Sequence, residues 1–239
     1  MSVPVVASAG TSHTLALMKL SRFLPLILLF ALTHVRADDR PAASAKWANE
    51  IAAFEKADRE HPPEKGGIVF VGSSSIRLWK TLAQDFPGLP VLNRGFGGSE
   101  IVDSVNFAER IVIPYAPRQV VLYAGGNDLN AGKPVEKVIA DFKVFAGKIR
   151  AALPGAEIDY ISIAGNPARW GHVEKVKAVN SAIEAWIKEQ PRMKFIDVFS
   201  KMLGADGLPK PEIFVEDKLH MNAAGYAIWK EVVGPFLVK

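Results

Sequence analysis

Apolar and polar positions along this chain follow two rhythms that alternate from Pro41 to the C-terminus. Between Pro41 and Glu60, Trp47, Ile51 and Phe54 recur at spacings of three and four with charges between them. That is the period of an amphipathic helix, and His61-Pro62-Pro63 ends it. Ile68-Val69-Phe70-Val71 is instead a continuous apolar run, the pattern of a strand buried on both faces. Further short runs at Val91-Leu92-Asn93, Gln119–Ala124, Glu157–Ile163 and Lys194–Val198 predict four more strands. Helical spacing returns between them, in Ile76, Leu78, Trp79 and Leu82, then over Ser99–Ile113, Val135–Leu153, Val173–Lys188 and Ala223–Phe236. Strands alternating with helices predict a doubly wound α/β sheet with helices on both faces.

In that architecture ligands bind beyond the carboxyl ends of the strands. Three polar, glycine-containing loops fall at such ends: Gly72-Ser73-Ser74-Ser75, Arg94-Gly95-Phe96-Gly97-Gly98 and Gly125-Gly126-Asn127-Asp128. Each has a bland reading, as a serine-rich helix cap, a turn needing positive φ, or an Asx turn. Their coincidence at three successive strand ends points to a site.

The first 37 residues do not belong to this pattern. Lys19 and Arg22 precede the apolar run Phe23–Leu32, and Val35-Arg36-Ala37 offers small residues at the −3 and −1 positions. This is the layout of a Sec-type secretory signal peptide, with Met18 as a possible true start. The run is too short to span a bilayer, so no stable membrane insertion is expected after cleavage. The expected organisation is a signal peptide over 1–37, an N-terminal helical segment over 38–66 packed on the domain, and a single domain over 67–239. Losing Lys19, Arg22 and Arg36 from the 29 basic residues leaves 26 against 25 acidic ones. The apparent basicity thus sits in the leader, and nucleic acid is not an expected partner. The chain has no Cys, which removes disulfides, thiolate nucleophiles and cysteine metal sites. A bacterial periplasmic or secreted location is expected.

Candidate chemistry centres on two places. Asp217-Lys218-Leu219-His220 puts a carboxylate three residues before an imidazole, where it can orient the ring and leave the other nitrogen free as a base. His61 and His172, the other histidines beyond the leader, have no such partner. Ser74, at a strand-to-helix handover, is the hydroxyl that such a base would activate. Gly98 can offer an unobstructed N–H and Asn127 a side-chain amide for an oxyanion. No zinc-ligand spacing, phosphate loop or Gly-x-Ser-x-Gly elbow is present. Arg77, Arg94, Arg169 and Trp170 are candidates to shape a substrate pocket, with Arg169 and Trp170 the best placed.

These blocks resemble those of the SGNH/GDSL hydrolases. Ser74 in Gly72-Ser73-Ser74 looks like the first block, Gly98 the second, Asn127 in Gly125-Gly126-Asn127-Asp128 the third, and Asp217 with His220 the last, all in the family's order. Ser73 stands where the family usually has Asp, and Ser99-Glu100 where Asp-Thr often follows the glycine. The resemblance implies a single-domain, three-layer α/β/α fold with a flavodoxin-like five-stranded parallel sheet. It also implies a Ser74-His220-Asp217 triad, an oxyanion hole from Ser74, Gly98 and Asn127, and no metal or organic cofactor. The platelet-activating-factor acetylhydrolase-like branch is the most similar. The expected activity is an exported serine esterase for short acyl groups, on a small-molecule or carbohydrate ester. Alternatives are a lysophospholipase- or thioesterase-type acylhydrolase, or a non-catalytic carbohydrate- or anion-binding protein on the same fold. The sequence does not specify the oligomeric state.

Overall fold

The structure, a computed structural model, describes residues 45–239, so the expected leader over 1–37 lies outside the described residues. The apolar runs form five strands: β1 (Ile68–Gly72), β2 (Val91–Gly95), β3 (Gln119–Tyr123), β4 (Glu157–Ile161) and β5 (Met193–Ile196). All pair in parallel, in the order β2-β1-β3-β4-β5. This is the flavodoxin-like order, whose switch point lies between β1 and β3.

The helices are α1 (Ala48–Glu60), α2 (Ser74–Arg77), α3 (Leu82–Asp85), α4 (Ile101–Ile111), α5 (Gly126–Asn130), α6 (Val135–Ala152), α7 (Val173–Lys188) and α8 (Ala223–Val233). Strand side chains alternate between two cores. Val69, Val71, Leu122 and Tyr160 face Ile51 of α1, Phe107 of α4, Phe142 of α6 and Ile183 of α7. Ile68, Phe70, Val121 and Ile161 face Ile76 of α2, Leu82 of α3 and Trp229 of α8. Ile68, Phe70 and Val71 are fully buried, and each such side chain contributes about 1.5–3 kcal/mol of transfer free energy. Among the described residues, no helix is long and apolar enough to cross a membrane.

Several boundaries differ from the sequence expectation, each for a local reason. Pro114 and Pro235 cannot continue a helix, so α4 and α8 stop early and Ile113–Tyr115 and Gly234–Phe236 become 3₁₀ turns. Strand β4 ends at Ile161 because the Ser162 hydroxyl accepts the N–H groups of Val198 and Phe199, closing the sheet there. At the opposite end of the sheet, Gln119 donates to buried Asp159 and to the Phe236 carbonyl, and accepts the Val238 N–H. The C-terminal segment is thereby tied beneath β3 and β4.

Candidate active site

The site begins with a glycine. Gly72 ends β1 at φ +137°, and a Cβ there would lie 2.0 Å from the Tyr123 carbonyl oxygen on β3. Only glycine fits so close an approach at that φ. The chain then turns sharply: the Ser73 N–H donates to Tyr123 O, and the Ser73 carbonyl accepts from Ile76 and Arg77. Ser74 becomes the first residue of α2, with its N–H free of any acceptor among the described residues. Two long-range bonds fix this turn. Asn93 Nδ2 donates to the Ile76 carbonyl at 2.6 Å, and Tyr226 Oη of α8 donates to the Ser75 carbonyl at 2.9 Å.

Two further loops converge on Ser74. Gly98 follows β2 at φ +75°, where its added Cβ would meet only Trp47 at 3.4 Å. Conformation rather than space calls for glycine here, and the Gly98 N–H also lacks an acceptor among the described residues. Asn127 sits in the first turn of α5, its Nδ2 donating to the Ser99 carbonyl at 2.9 Å. That bond joins the second loop to the third. A charged clamp reinforces it: Lys133 reaches Glu100 at 2.8 Å, Asp128 at 3.0 Å and Asp141 at 3.3 Å. The Asp128 carboxylate also accepts the Ile101 N–H that opens α4. Burial raises the pKa of Asp128, opposed by its bond to Lys133.

The fourth segment brings in a carboxylate and an imidazole. Phe214 and Met221 form an antiparallel bridge, and between them Lys218 takes φ +56°. This tight loop lets Asp217 Oδ1 accept the N–H groups of Leu219 and His220, both at 2.8 Å, while Oδ2 lies 2.6 Å from His220 Nδ1. The His220 N–H bond, outweighing a small desolvation cost, and the ring contact lower the Asp217 pKa to about 2. A permanent carboxylate holds the proton on Nδ1 and leaves Nε2 as acceptor. His220 Nε2 lies 2.9 Å from Ser74 Oγ. Chemically, the arrangement can deprotonate a hydroxyl beside three N–H donors.

Ser74, Gly98, Asn127 and His220 line one cavity of about 280 Å³. Tyr123, Met202 and Trp229 form an apolar side of it, with Tyr123 and Trp229 in edge-to-face contact at 4.7 Å. Arg77 and Arg169 line the same cavity, whereas Trp170 lines a separate small space beside His172. Arg94 does not reach the cavity: it is buried, paired with Asp58 and Tyr115, because β2 points it into the α1–α4 side. Glu50 of α1 lines the cavity and was not anticipated, since a lone acid on an amphipathic helix reads as a solvated face. Lys133 also carried no sequence signal beyond its place after Gly132.

A family model described as GDSL-like Lipase/Acylhydrolase matches residues 69–228. Solved structures share the fold. One is a Streptococcus pneumonia protein provisionally described as a platelet activating factor, 19% identical at TM-score 0.72, covering 82% of this chain and 95% of its own. A Bacteroides fragilis protein provisionally described as an acylhydrolase is 18% identical at TM-score 0.66, with 83% and 97% covered. A GDSL-like lipase from Bacteroides thetaiotaomicron is 20% identical at TM-score 0.64, with 81% and 96% covered. No curated protein is similar enough in sequence to count as a match.

Proposed function

Because this chain belongs to the GDSL-like lipase/acylhydrolase family, whose chemistry is ester hydrolysis, we propose that it is a serine esterase for short-acyl esters. Ser74 Oγ attacks the ester carbonyl and passes its proton to His220 Nε2, while Asp217 stabilises the imidazolium through Nδ1. The carbonyl oxygen becomes an oxyanion, held by the N–H groups of Ser74 and Gly98 and by Asn127 Nδ2. As the tetrahedral intermediate collapses, His220 returns the proton to the departing alcohol, leaving Ser74 acylated. Water then attacks the acyl-enzyme with His220 as base, and the carboxylic acid leaves.

The observation that carries this reading is the 2.9 Å approach of Ser74 Oγ to His220 Nε2 in a cavity that also holds the three donors. The short-acyl preference rests on the cavity's size, about 280 Å³, at the small end of ligand pockets. A lysophospholipase- or thioesterase-type reading would need room for a long chain. Glu50 and Arg77 also line the cavity, and groups of this kind suit the hydroxyls of a carbohydrate or small-molecule ester. Export to the periplasm or medium is part of the proposal, and N-terminal sequencing of the mature protein should then begin at Asp38.

Steady-state hydrolysis of p-nitrophenyl acetate, butyrate and octanoate tests the proposal. Acetate is expected to be preferred, with Ser74→Ala lowering kcat by at least about 10⁴-fold. A preference for octanoate would transfer the reading to lipid acyl chains. Parental activity in Ser74→Ala would remove the nucleophile, and no turnover of any ester by the parent would favour a binding protein.

A further inference from the structure

We infer that Arg169 is a positioning residue for the oxyanion hole, acting through the side-chain amide of Asn127 rather than on the substrate. The inference rests on the esterase reading above. An asparagine amide has two nearly isosteric orientations, and only one of them offers a donor to an oxyanion. Here both ends of the amide are read by groups of opposite character. Nδ2 donates to the Ser99 carbonyl at 2.9 Å, and Oδ1 accepts from Arg169 Nη1 at 2.9 Å. A flipped amide would set its NH₂ against a guanidinium that cannot accept, and its oxygen against a carbonyl that cannot donate. The observed orientation leaves the second Nδ2 hydrogen for the cavity that Asn127 lines.

Arg169 is held for this task from two directions. Its N–H donates to Asn166 Oδ1 at 2.9 Å, capping the short turn Pro167–His172. The neighbouring Ala168 N–H donates to the Lys218 carbonyl at 3.1 Å, within the loop that carries Asp217 and His220. One turn therefore touches both the oxyanion side and the acid–base side of the site. The guanidinium has no carboxylate at ion-pair distance among the described residues; Nη1 is shared between Asn127 Oδ1 and the Gly126 carbonyl at 3.3 Å. A positive charge at Oδ1 draws electron density from the amide nitrogen and strengthens its N–H as a donor. That strengthening acts on an oxyanion more than on a neutral carbonyl, so it belongs to kcat.

The competing role is direct binding of substrate, because Arg169 also lines the cavity. A double-mutant cycle separates the two. Full-length Arg169→Met, Arg169→Lys, Asn127→Ala and the Asn127→Ala/Arg169→Met double variant are assayed on p-nitrophenyl acetate, with Ser74→Ala as reference. Arg169→Met is expected to lower kcat by about 10–100-fold, part of what one oxyanion donor supplies, with KM within about twofold. Arg169→Lys should fall between, since one N–H can still reach Oδ1. In the Asn127→Ala background the Arg169→Met step should cost less than about twofold, because the amide it orients is gone. A full effect persisting in that background, a loss confined to KM, or an unchanged kcat would overturn the inference. If Arg169→Met shows no cooperative thermal transition, the same cycle with Arg169→Lys decides by the same criteria. Ser74→Ala at parental activity would defeat the esterase reading itself; an inactive Ser74→Ala beside a fully active Arg169→Met would defeat only this one.

Discussion

In the proposed triad the carboxylate of Asp217 is open to solvent, with its side chain 47% exposed. Replacing a buried triad aspartate by asparagine costs about 10⁴-fold in kcat; here solvent shares the stabilisation of the imidazolium, and Asp217→Asn should cost about 10²–10³-fold. Its pKa of about 2 keeps it ionised at every practical pH. Asp217 should therefore contribute no ionisation to kcat/KM above pH 4, and a step there that disappears in Asp217→Asn would contradict the assignment. Asp159 is the opposite case. Burial, opposed by the Gln119 bond and by Lys194 and aided by Glu157, raises its pKa from 3.8 to about 7, and its Oδ1 has no hydrogen-bond partner among the described residues. Below pH 4 the group is neutral folded or unfolded and costs nothing. As pH rises to 7 the unfolded chain ionises first, so stability falls and then levels off. Urea unfolding at pH 5 and pH 8 should show the parent losing about 2–3 kcal/mol relative to Asp159→Asn. An equal difference at both pH values would count against a neutral buried Asp159. Neither aspartate's state was legible in the sequence, because each depends on what the fold packs around it.

At the scale of elements, the strands were legible because parallel strands covered on both faces show as unbroken apolar runs, and Ile68–Val71 is such a run. Amphipathic α6 and α7 were legible through their period. What escaped were elements too short to have a period: α5, and the 3₁₀ turns at Ser200–Met202 and Pro211–Ile213. The clamp between loops escaped as well, since nothing in the order of residues says that Lys133 meets Glu100, Asp128 and Asp141. In the sequence Glu100 is a departure from the family's usual pattern. In the structure it accepts within a capping box at the start of α4 and pairs with Lys133. Lys133→Met would strand the Asp128 carboxylate, whose side chain is wholly buried. Breaking such a pair from one side costs about 3–5 kcal/mol, and denaturant unfolding should show that loss. Adding Asp128→Asn should recover part of it, because the uncompensated charge is then gone.

For the whole molecule, the candidate site was legible as a set of strand-end loops, and the fold explains why those loops come together. In a doubly wound parallel sheet every strand enters the same layer with the same polarity, so polar strand ends are neighbours whatever their distance along the chain. Side-chain reach was only partly legible: Arg169 and Trp170 looked better placed than Arg94, and the Asn166 turn does deliver Arg169 while β2 buries Arg94, yet Trp170 lines a neighbouring space instead. The same geometry has a kinetic consequence. The Ser74 Oγ–His220 Nε2 contact, on which the proposed proton transfer depends, joins residues 146 positions apart, and closing a loop of that length comes late in the folding of a parallel sheet. No early, locally ordered species can hold a working Ser74–His220 pair. During refolding from urea, esterase activity should return only with the slowest change in tryptophan fluorescence, never ahead of it. Catalysis in this chain is a clock that starts when folding has finished.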